Sequence, residues 1–184
     1  MLTVLCLGSE GETHLISFLT SALSNVGKLL CLFPKQGLIC EQGIKKAGPP
    51  DFLLSSFSQL SEIRAPETVC LLSGGLVQGN VLLSSQKSKA FCLLCDSSDP
   101  QALQLAEESR LPVLTCGLRS TDCFTFSSLG EDSRMFYLQR PLSLPGGGLL
   151  EPFERPAPAC TDQPLFYQLA FYALLTLSGL WPGR

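Results

Sequence analysis

The chain has 184 residues, enough to bury the core of one domain. Only 16% of them are charged against 45% hydrophobic, and this excludes an intrinsically disordered chain. A net charge of −3 and a pI near 5.1 argue against nucleic acid or an anionic membrane as partner. No apolar run approaches the roughly 20 residues that span a bilayer.

The pattern begins with an apolar strand over Leu2–Leu7. A helix follows from about Glu12 to Val26, with Leu15, Phe18, Leu19, Ala22 and Leu23 on one face, and Gly27 stops it. Lys28–Phe33 is the next strand. Pro34 to Pro50 is a polar connection with a short strand at Leu38–Cys40. Asp51–Leu54 and Thr68–Leu72 are short buried strands, with an amphipathic turn at Phe57–Ile63 between them. Val77–Ser85 fits helix or strand. Ala90–Cys95 is a strand, and Asp99 and Pro100 start a helix that runs to Arg110. Leu111–Thr115 is a strand ended by Gly117. Cys123–Ser127, Met135–Arg140 and Leu149–Glu154 then read as an antiparallel meander. Pro152–Pro164 covers an edge or a bend, and a largely buried helix spans Leu165 to Ser178.

Strands that alternate with helices predict a three-layer α/β domain, a mostly parallel sheet with helices on both faces. Residues 1–184 form a single domain in this reading. It comprises a parallel α/β part over 1–118, a small antiparallel meander over 119–160 and a closing helix over 161–184. The N-terminus carries neither a basic start nor a small-residue cleavage site, so the expected location is cytoplasmic. Nine cysteines are present, an odd number. Cys6, Cys31, Cys70, Cys92, Cys95 and Cys116 lie inside apolar runs, as small buried hydrophobes do, and reduced thiols are expected.

The first strand runs into Gly8-Ser9-Glu10-Gly11-Glu12-Thr13-His14, the outline of a phosphate-binding loop opening a helix. The loop's anion would be held by backbone N–H groups. An acid, Glu12, stands where the phosphate-binding lysine belongs, and Glu10 lies two residues earlier. Both carboxylates favour the helix dipole themselves, by a few tenths to about 1 kcal/mol each, and repel a triphosphate.

Several of these segments together resemble the central, ATP-binding domain of the Mur ligase superfamily. The opening loop is similar to that family's Gly-Thr-Asn-Gly-Lys-Thr-Thr, and Gly27-Lys28 to its helix-to-strand joint. Residues from Ala90 through Asp96-Ser97-Ser98-Asp99-Pro100 resemble its strand ending in Asn-x-Asp-Asp-Pro. Leu111 to Gly117 resembles its next strand, which ends in Phe-Gly. The resemblance implies a P-loop fold and places the Asp96–Asp99 segment near a nucleotide's base and ribose. It also implies a magnesium-binding glutamate and histidine that have no counterpart, because the single histidine is His14. The chain matches the central domain alone, without the family's flanking domains.

The candidate nucleotide or anion site is therefore Gly8, Ser9, Glu10, Gly11, Glu12 and Thr13, in degenerate form. Ser73, Gly74, Asp96 and Asp99 are candidate ligand residues at strand ends, where open α/β sheets bind. Asp99 is first a helix cap and Asp96 a turn former. No catalytic residue and no metal site is assigned. His14 reads as an exposed or capping side chain, and Lys45, Lys46 and Arg64 as solvated surface. Cys92 and Cys95 have metal-like spacing but fall on opposite faces of a strand. Phe166, Tyr167, Phe171 and Tyr172 read as core, with part of the last helix available as an apolar face for a homodimer or partner subunit. No cofactor is expected; Mg-ATP is the one to test. The expected function is non-catalytic binding or regulation. The alternative is an ATP-dependent ligase or nucleotide-binding enzyme completed by a partner subunit, and the third reading is a Rossmann-like module for a small metabolite.

Overall fold

A computed structural model describes residues 1–7, 13–33, 38–43, 48–57, 67–72, 92–130, 133–144, 147–158 and 162–181. The elements are β1 (Leu2–Leu7), α1 (Thr13–Ser24), β2 (Lys28–Phe33), β3 (Leu38–Gly43), β4 (Phe52–Phe57) and β5 (Thr68–Leu72). They continue with β6 (Cys92–Asp96), α2 (Pro100–Ser109), β7 (Val113–Cys116), β8 (Phe124–Leu129) and β9 (Ser133–Leu138). The remainder is β10 (Leu142–Ser143), β11 (Leu149–Leu150), β12 (Phe153–Pro158) and α3 (Leu165–Ser178).

Ten strands form one sheet in the order β12-β9-β8-β7-β6-β5-β1-β4-β2-β3, and β10 pairs with β11 apart from it. The strands from β8 to β2 in that order are parallel to their neighbours. Antiparallel pairs lie at the two margins: β3 on β2, and β9 and β12 beyond β8. The fold is thus the expected mostly parallel α/β sheet with a small antiparallel part near the C-terminus.

Strand β1 explains why the first apolar run has no alternation, since all six of its residues are buried. Leu2, Val4 and Cys6 join Leu15, Leu19 and Leu23 of α1 on one face. Leu5 and Leu7 join Ala102 and Ala106 of α2 on the other. Helices therefore cover both faces. Each leucine of the α1 stripe is fully buried, worth about 1.5–3 kcal/mol of apolar transfer.

Helix α3 returns to the α1 face. Phe18 of α1 stacks on Tyr167 with ring centroids 6.2 Å apart and meets Phe171 edge-on at 6.2 Å. Tyr172 packs among Phe136 and Trp181 at 5.6 and 5.1 Å, while its hydroxyl donates to the Pro158 carbonyl at 3.0 Å. The helix ends at Gly179, whose φ of 72° is the left-handed turn that glycine adopts without steric cost. In this helix Phe166 and Tyr172 are buried, and Tyr167 and Phe171 are half-buried.

Several element boundaries differ from expectation, β3 among them, which runs to Gly43 and not Cys40. The strand expected at Leu149–Glu154 is two pieces, β11 and the start of β12. The proline-rich segment expected to cover an edge or bend instead supplies the edge strand itself. Pro156 and Pro158 are two residues apart, so their missing N–H groups fall on one side of β12, and an edge strand tolerates that on its outer side. Strand β4 also continues three residues beyond the expected Leu54, to Phe57. Most of the expected turn at Phe57–Ile63, the Val77–Ser85 segment, and Lys45, Lys46 and Arg64 lie outside the described residues. No helix among the described residues is long and apolar enough to cross a membrane.

Candidate functional site

The topology singles out one crevice. From β1 the chain crosses through α1 to β2, on the β4 side of β1. From β5 onward each successive strand to β8 is added on the opposite side. The direction of winding reverses between β1 and β5, and open α/β sheets take ligands outside the carboxyl ends of strands at such a point. Leu7 of β1 is paired with Leu72 of β5, so the segments starting at residues 8 and 73 leave from neighbouring positions.

Gly8, Ser9, Glu10, Gly11 and Glu12, and likewise Ser73 and Gly74, lie outside the described residues. Chain connectivity brackets the first group between the end of β1 and Thr13, which begins α1. His14 is exposed on the first turn of that helix.

Asp96 and Asp99 fall within the turn that joins β6 to α2. The carboxylate of Asp96 accepts from the backbone N–H and hydroxyl of Ser98 at 2.7 and 2.6 Å, as in an Asx turn. Asp99 caps α2: its Oδ1 accepts from the N–H groups of Gln101 and Ala102 at 2.9 and 3.2 Å. Its other oxygen, Oδ2, is buried with no hydrogen-bond partner.

A group that the sequence did not point to sits beside them. Asp122 is only 1% exposed, and its Oδ2 accepts from the Ser97 hydroxyl at 3.0 Å and from the Arg119 N–H at 2.8 Å. Both donors are neutral, and together they satisfy this oxygen of a buried carboxylate. Gly117, at the end of β7, makes the contact feasible, because a Cβ there would overlap the Ser97 hydroxyl and the Asp122 carboxylate. Ser97 and Asp122 are 25 residues apart and meet only because β6 and β7 are neighbours. The one sequence signal was Gly117 as a strand terminator.

This corner is electronegative. The Cys95 thiol is pushed up to about 12, chiefly by burial and then by Asp96, Cys123, Asp122 and Asp99. Cys116 is raised by burial, by Cys95 and Cys123, and by Asp122 and Asp96. Asp96, Asp99 and Asp122 form no ion pair with any lysine or arginine among the described residues. Cys92 and Cys95 do lie on opposite faces, in separate core clusters. No group of three or more histidine, cysteine or acidic side chains among the described residues is arranged to hold a metal ion. The arrangement suits hydrogen-bond donors or a cation, and it opposes a polyanion.

A doubly wound α/β domain whose winding reverses between the first and fifth strands is the class these features define. Searches against protein-family models and against curated proteins find no match. Among solved structures, MurF from Acinetobacter baumannii aligns with 98% of this chain and 44% of its own, at 11% identity and a TM-score of 0.52. A UDP-N-acetylmuramate:L-alanyl-gamma-D-glutamyl-meso-diaminopimelate ligase from Neisseria meningitides aligns with 96% of this chain and 61% of its own, at 11% identity and a TM-score of 0.46. The chain spans less than two thirds of either protein. The fold is Mur-ligase-like.

Proposed function

We infer that this Mur-ligase-like domain works by binding, in an interaction or regulatory role, and does not turn over ATP. One observation carries the reading: negative charge at the carboxyl ends of the strands. The loop after β1 holds Glu10 and Glu12 and no lysine. The turn after β6 and the loop after β7 hold Asp96, Asp99 and Asp122 without a paired cation among the described residues.

Magnitudes favour this reading. A unit charge pair at 4 Å is worth on the order of 4 kcal/mol at an effective dielectric constant of 20. Exchanging an attractive lysine for a repulsive glutamate counts that twice, comparable to the roughly 8 kcal/mol of a micromolar complex. A ligand at this crevice is better matched as a neutral or cationic group, such as a basic segment of a protein partner. The buried thiols fit a reducing, cytoplasmic setting.

Thermal melts with and without millimolar Mg-ATP test the reading. Native-state binding at 100 times Kd adds about 2.7 kcal/mol, a rise of about 5–10 °C for a chain of this size. The expected result is no shift for the natural sequence and a gain for Glu12→Lys. A clear rise in the natural sequence would instead support the ligase reading.

A further inference from the structure

We draw no further inference here: the strongest candidate, the cavity of about 280 Å³ where the amino ends of β1, β4 and β5 meet the end of α3, carries nothing, because its two carboxylates, Asp51 and Glu67, are already engaged by the Lys28 N–H and the Met1 ammonium and nothing else among the described residues lining it points to a ligand.

Discussion

Gly117 is a residue whose side chain must be a hydrogen atom for a reason outside its own backbone. The space a methyl group would take is filled by the Ser97 hydroxyl and by Asp122, which together fasten the loop after β7 to the turn after β6. Gly117→Ala is expected to destabilise the protein by about 1–3 kcal/mol, lowering Tm by about 3–10 °C. A melt unchanged within 1 °C would show that the loop is not pinned. The candidate site was legible in part. Asp99 and Pro100 announced a helix start because capping is local, involving atoms two and three residues apart. The Ser97–Asp122 contact was not legible, because it spans two strands whose adjacency no local pattern encodes.

Elements bounded by local chemistry were the readable ones. Helix α3 runs from Leu165 to Ser178 as expected, set between Pro164 and a left-handed Gly179. Strand β12 was misread because proline usually breaks strands; only at an edge is a missing N–H harmless, and edge position is a property of the whole sheet. The strand order was beyond any local pattern for the same reason. The contact between α1 and α3 tests how the layers are joined. Phe18→Ala removes a half-buried ring from Tyr167 and Phe171 and is expected to cost about 2–3 kcal/mol in urea unfolding, with Phe18→Leu recovering more than half. A cost below about 0.5 kcal/mol, the noise of most surface substitutions, would contradict that packing.

Across the whole molecule, both faces of the sheet bury thiols, and that gives stability a direction with pH. Burial pushes Cys70 and Cys95 from 9.0 up to about 12. Their folded pKa values lie above the unfolded ones, so this contribution is fully present below pH 9 and is lost as pH rises toward 12. The urea midpoint is expected to fall between pH 8 and 10.5, and Cys70→Ala is expected to flatten that fall. A midpoint that holds or rises over this range would contradict the buried-thiol account.

In the proposed reading, the crevice between β1 and β5 is a scaffold whose charge is inverted by Glu10 and Glu12. Isothermal titration of Mg-ATP into the natural sequence and into Glu12→Lys reads that charge directly. The account predicts no saturable heat for the natural sequence at millimolar nucleotide and measurable binding once lysine stands at position 12. A micromolar Kd for the natural sequence, or one that Glu12→Lys leaves unaltered, would contradict it.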